Sequence, residues 1–233
     1  MLWPEPSGIL SMTATAARNW IRLARQHPSA LLLAVQLLGV LLYPAMEDTQ
    51  AGRAMFGAFG ILVLSLALWV VNRSPLVNWV AWVLALPSVT LSIFAALSGR
   101  ADLVAVIHLL EGMLYLYAAF GLIAYMLRDH RVSLDELFAA GATFTLLAWA
   151  FAYSYSVCQQ WFPGSFIAAV EPDAPRTWME LLFLSFSTLS GVGLSDIIPI
   201  RPQARALVML EQFAGVMYIA LVVSRLIGLT VLR

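Results

Sequence analysis

The stretch Ser187–Asp196, STLSGVGLSD, sets three serines, two glycines and an aspartate between two apolar runs. Irregular backbone of this kind does not survive against lipid. At membrane depth it persists only where it is buried in protein or lines a water-filled path. The setting of the stretch therefore decides its meaning, and that setting is apolar. Of 233 residues, 61% are hydrophobic and 11% charged, against about 25% charged in an ordinary soluble domain. Mean hydropathy is +0.85. So short a chain has no core large enough to hide this surface, and its solvent must be lipid.

Thirteen basic residues, all arginine, balance thirteen acidic ones. No basic run suggests nucleic acid as a partner. Cys158 is the single cysteine, which excludes disulfide frameworks and cysteine metal clusters. Residues 1–29 carry Arg18, Arg22 and Arg25 too late for an ordinary signal peptide. They read as a cytoplasmic amphipathic segment resting Trp20, Ile21 and Leu23 at the membrane interface.

A spanning helix needs about 20 mostly apolar residues. Five runs meet this: Ala30–Met46, Ala54–Val71, Val77–Leu97, Leu103–Leu127 and Leu137–Val157. A sixth, Gln203–Leu232, contains Glu211 and Arg225. Thr177–Leu189, at about 13 residues, is too short to cross and is expected to be a re-entrant half-helix with STLSGVGLSD at its end. Two helix starts carry capping boxes, Ser133-x-x-Glu136 and Thr177-x-x-Glu180, in which each side chain satisfies the other residue's backbone N–H. Pro175 and Arg176 stop any helix from running into the second one. Arginines gather before the first span and after the second and fourth. The opposite loops pair theirs with acids, as in Arg100 with Asp102. Both termini are therefore expected in the cytoplasm, in a multi-pass protein of the cell inner (plasma) membrane. No soluble ligand-binding domain is expected.

A half-helix with a buried carboxyl end aims a partial negative charge at whatever lies beyond it. A glycine-rich strand there can turn carbonyls inward, and rings of carbonyls replace a cation's hydration shell. One loop per chain cannot make a ring, whereas four copies can.

Thr177–Gly228, TWMELLFLSFSTLSGVGLSDIIPIRPQARALVMLEQFAGVMYIALVVSRLIG, resembles the pore region of the potassium-channel superfamily. That family's filter reads T-x-T-T-V-G-Y-G-D with a proline beyond it. Thr188–Asp196 aligns without a gap, and Pro199 falls in place. VSLDELFAAG (132–141) and PGSF (163–166) also resemble bacterial six-span members. The resemblance implies an all-α tetramer, each chain with six transmembrane helices plus a re-entrant pore helix and filter loop. Its parts would be the N-terminal segment 1–29, a peripheral four-helix domain 30–131 and a pore domain 132–233. It makes Ser190, Gly191, Val192, Gly193, Leu194 and Ser195 the selectivity filter and Asp196 the outer mouth. Gly215 becomes a candidate gate hinge, with close helix packing as its alternative reading. Glu180 and Glu211 become candidate pore supports, Glu211 through a structural hydrogen bond. Arg225 reads as snorkelling to phosphates.

Three departures fall in the filter itself. Gly191 lacks the family's inner hydroxyl. Leu194 replaces the tyrosine that ties the filter to its surroundings. Ser195 replaces a glycine at a left-handed position, where a side chain costs about 1–2 kcal/mol. A passive cation channel with weak selection among potassium and sodium, and with calcium or magnesium permeation, is therefore expected; potassium selectivity despite the altered filter is the alternative. Leu103–Leu127 contains no arginine, whereas a voltage sensor needs several charges, each worth about 2.3 kcal/mol per 100 mV. Little voltage dependence is expected.

His108 and Glu111, roughly 9–14 Å below the outer end of the fourth span, are candidates for metal or proton sensing; the alternative is a histidine hydrogen-bonded to a carboxyl in the bundle. No bound cofactor is expected beyond the permeant cations. An intramembrane serine protease using Ser190 or Ser195 with His108 needs those groups within about 3 Å, and no second motif supports the pairing. A transporter would call for paired broken helices or inverted repeats. A non-conducting membrane subunit stays open as a further alternative.

Overall fold

The structure is a computed structural model, and it describes residues 27–47, 59–60, 62–63, 65–67, 69–70, 78–128 and 133–231. The amphipathic segment read at 1–29 falls almost wholly outside the described residues, as does much of the second apolar run. In chain order the helices are α1 (Pro28–Glu47), α2 (Asn78–Ser98), α3 (Val104–Met126), α4 (Leu134–Trp161), α5 (Trp178–Leu189), α6 (Pro202–Tyr218) and α7 (Ser224–Val231). A 3-10 turn, Ala101–Leu103, precedes α3, and a π-helical turn, Ile219–Val223, joins α6 to α7.

Three helical stretches among the described residues are long and apolar enough to cross a membrane: Val104–Met126, Leu134–Trp161 and Pro202–Val223. Pro28–Pro44 and Trp79–Ala95 are shorter apolar helices. The protein is an α-helical membrane protein. α4 is its axis, with α1, α3, α5 and α6 packed along it. The main core gathers Leu32 from α1, Tyr115 and Leu122 from α3, Trp149 and Ala142 from α4, and Leu182 and Leu189 from α5.

Both capping boxes form. The Glu136 amide donates to Ser133 Oγ at 3.3 Å and the Ser133 amide to Glu136 Oε2 at 3.4 Å. At α5 the Glu180 amide donates to Thr177 Oγ1 at 3.3 Å and the Thr177 amide to Glu180 Oε2 at 2.6 Å. Ahead of α3, Arg100 Nε donates to Asp102 Oδ1 at 3.1 Å. This hydrogen bond, before the pair's simple Coulombic attraction, holds the exposed Asp102 carboxyl below its ordinary value.

One feature departs from a purely helical expectation. Two three-residue strands, β1 (Phe166–Ala168) and β2 (Ile197–Pro199), pair antiparallel with Ile167 opposite Ile198. Strands this short leave no periodic trace in sequence. They join the segment before α5 to the segment after the Ser187–Asp196 stretch, so the chain leaves the sheet, runs through α5 and comes back to it.

Candidate pore loop

The paired strands close the excursion through α5 into a loop that comes back to the sheet. α5 has 12 residues, roughly 18 Å of helix. The return, Ser190–Asp196, contains no helix, and its seven residues extend to at most about 25 Å.

Its backbone is set by two glycines. Gly191 lies at φ 74° and Gly193 at φ 68°, the left-handed region that glycine enters without a steric penalty. Glu171 is the one non-glycine residue with positive φ among the described residues, so Val192, between the glycines, stays on the ordinary side. Alternation of this kind puts successive N–H groups on one edge of the strand and carbonyls on the other. The Gly191 amide donates to Thr188 O at 3.1 Å and the Gly193 amide to Ser187 O at 3.0 Å. The amides of both glycines thus face the last turn of α5. Val192 and Leu194 are 70% and 73% exposed on the single chain.

The outer part of the return takes another form. Ser195 is absent from the left-handed residues, and its hydroxyl accepts from the Ile197 amide at 3.1 Å. A local side-chain turn stands at the position where the family pattern has a glycine, so Ser195 carries no left-handed strain here. Asp196 follows, exposed, at the entry to β2.

Behind the loop lies a buried carboxyl. Glu211 is 0% exposed and accepts from the Tyr155 hydroxyl on α4 and the Ser185 hydroxyl on α5. Ser185 Oγ also reaches Ala148 O at 2.8 Å. Glu211 thus meets hydroxyls from two other helices. One turn further on, Gly215 sits where a Cβ would run into the Leu189 carbonyl, which is the close helix contact that glycine permits. The Tyr218 hydroxyl then donates to Ala140 O, immediately before the π-helical turn. Such turns loosen the helical ladder and often mark functional positions.

Glu180 closes its cap and also pairs with Arg176 Nη1 at 3.2 Å. Arg176 is a buried hub that spacing did not single out. Its guanidinium donates to the carbonyls of Val170, Glu171 and Ala174, and its amide to Gln159 Oε1 at 3.0 Å. It folds the loop ahead of α5 against the end of α4. Trp178, the first residue of α5, is seated by rings from two other helices: Tyr43, Trp149 and Tyr153, with centroids 5.4 to 5.8 Å away.

His108 and Glu111 are not joined as the sequence suggested. His108 Nδ1 lies 2.8 Å from Ser156 Oγ and 3.3 Å from Gln160 Nε2 on α4. Counted from Val104, where α3 begins, His108 and Glu111 sit roughly 6 and 10 Å inside it. Among the described residues no group of three or more His, Cys, Asp or Glu side chains is placed to hold a metal ion. Neither Ser190, bonded to Ser187 O at 3.2 Å, nor Ser195 hydrogen-bonds to His108, so the hydrolase pairing is not formed.

Tyr155, Ser185 and Arg176 were not legible as site residues. Tyr155 and Glu211 are 56 positions apart, and no motif spans that distance. The one signal available was a tyrosine and a serine inside otherwise apolar runs.

No curated protein and no solved structure matches the chain. Residues 141–231 match the family model described as Ion channel, a span that takes in most of α4, α5, the glycine-rich return and α6. That match makes this part of the chain similar to an ion-channel domain.

Proposed function

We propose that the protein is a passive cation channel, a homotetramer whose central pathway is lined by Ser190–Ser195, with Asp196 concentrating cations at the outer mouth. The supporting observation is the orientation of the return strand. Its amides at Gly191 and Gly193 are spent on the end of α5, which leaves the carbonyl edge free to replace a cation's water. One chain supplies one such edge, so an enclosed site requires several copies. The exposed apolar face of α6, with Leu210, Phe213 and Met217, suits packing against them.

In this reading residues 30–131 form a peripheral four-helix unit around a pore domain 132–233, in a six-span chain with both termini in the cytoplasm of an inner-membrane protein. α3 carries no arginine or lysine, and its single charged side chain is Glu111. Gating charge is therefore lacking, and opening depends little on voltage. Bending of α6 at Gly215 or in the π-helical turn beyond it opens the inner end. His108, engaged with α4, and Glu111 are the groups through which protons or a metal would act.

Selectivity follows from what the strand lacks. Gly191 offers no side-chain hydroxyl to the inner site, and Leu194 no hydroxyl to brace the outer one. A cation that keeps part of its water is discriminated poorly. Reconstituted protein in planar bilayers gives the test. In a potassium chloride gradient the reversal potential should approach the cation value, and under bi-ionic conditions the potassium-to-sodium permeability ratio should stay below about 10, with measurable calcium or magnesium permeation or block. Gly191→Thr with Leu194→Tyr and Ser195→Gly should raise that ratio. Anion currents, or an open probability that rises e-fold within a few millivolts, would contradict the reading; a strongly potassium-selective reversal would show that the loop forms a full set of sites as it stands.

A further inference from the structure

The return strand has little hold of its own. Val192 and Leu194 point away from the protein, and the glycines have no side chains. Four hydrogen bonds fix Ser190–Gly193: the Ser190 amide to Phe186 O, the Gly191 amide to Thr188 O, the Gly193 amide to Ser187 O and the Ser190 hydroxyl to Ser187 O. All four end on the last turn of α5, at Phe186, Ser187 or Thr188. The Ser187 hydroxyl is buried and unpartnered, so it is the carbonyl of this residue that holds the loop. The strand therefore goes wherever the last turn of α5 goes.

That turn is held by the carboxyl of Glu211. Tyr155 reaches it from α4 and Ser185 from α5. Three helices thus meet on one buried group, in a place where water cannot replace a lost partner. We propose that Tyr155 and Ser185, acting through Glu211, are the positioning residues of the filter: they set the height and rotation of Ser187 and Thr188, and through them the direction of the carbonyl edge at Gly191–Gly193. The proposal rests on the channel reading above. It makes ion selectivity depend on a tyrosine that never touches the ion.

Tyr155→Phe removes one hydroxyl and keeps the ring that packs on Phe166, 5.2 Å between centroids. Tyr218→Phe is the control: it also removes one hydroxyl linking α6 to α4, the one that bonds Ala140 O, but has no link to Ser187 or Thr188. In the reconstituted full chain, Tyr155→Phe should speed amide exchange at Gly191 and Gly193 about five-fold and shift the potassium-to-sodium permeability ratio about three-fold, as expected for a typical hydrogen bond lost beneath the filter. Tyr218→Phe should do neither. If Tyr155→Phe does not fold, Ser185→Ala, which removes the other hydroxyl on Glu211, carries the same expectation. Unchanged exchange together with an unchanged ratio in the folded variant overturns the proposal, because a merely structural role would lower yield and leave the surviving channels alike. Should the unmodified protein carry no cation current, the channel reading fails while the exchange measurement still decides this one.

Discussion

Gly215 and Leu189 meet where α6 crosses the end of α5. The Leu189 carbonyl occupies the space a side chain on Gly215 would need, and a carbonyl at the end of a packed helix has little freedom to yield. Gly215→Ala should therefore destabilise the folded protein by roughly 1–3 kcal/mol, the usual cost of overpacking. Gly228→Ala is the matched control, because nothing lies within 4 Å of the Cβ it would add. Thermal melts in detergent should show a clear fall for the first and no change for the second; equal melts would mean that the two helices do not touch so closely. The glycine itself was visible in sequence with two readings, hinge or close contact. Only its neighbour shows that close contact is made, and that neighbour is 26 residues away across a loop. Glu211 is similar. A carboxyl in an apolar run signals a role, but the two hydroxyls that meet it come from other helices.

At the scale of elements, the legible parts were those written in local spacing. Thr177-x-x-Glu180 and Ser133-x-x-Glu136 close as capping boxes because each needs only three intervening bonds of helix. The length of α5 followed from the short apolar run. The β1–β2 pair did not, since three residues carry no alternation to read, and its register depends on the whole excursion between Ala168 and Ile197. A second junction was equally hidden. Asp135, in the first turn of α4, accepts from the Ser29 amide at 3.1 Å, the Ser29 hydroxyl at 3.0 Å and the Tyr125 hydroxyl at 3.2 Å. It caps the start of α1 and catches the end of α3, so three helices are fastened at one end of the bundle. Asp135→Ala leaves the two buried donors of Ser29 and the half-buried Tyr125 hydroxyl without this acceptor and should cost about 1–3 kcal/mol, read as a lower melting temperature. Because the junction shares no hydrogen bond with Ser187–Asp196, the potassium-to-sodium permeability ratio should be unaffected. A changed ratio would show that the two ends of α4 are coupled.

For the whole molecule, the membrane class was readable from composition alone, and the channel resemblance rested on one contiguous stretch, which lies within the residues that the family model matches. The arrangement of the peripheral helices was less readable, because apolar runs state that a helix exists without stating what it packs against. Everything functional in the account depends on Ser190–Ser195 lining the ion's path. Cysteine substitution tests that claim most directly. With Cys158, the chain's single cysteine and a buried one, changed to Ser, the Leu194→Cys variant offers one exposed thiol on the return strand. A cationic thiol-specific reagent added from the outer side of a conducting bilayer should abolish most of the current, and a high concentration of permeant cation should slow the loss. Complete modification by mass with the current unaltered would contradict the account.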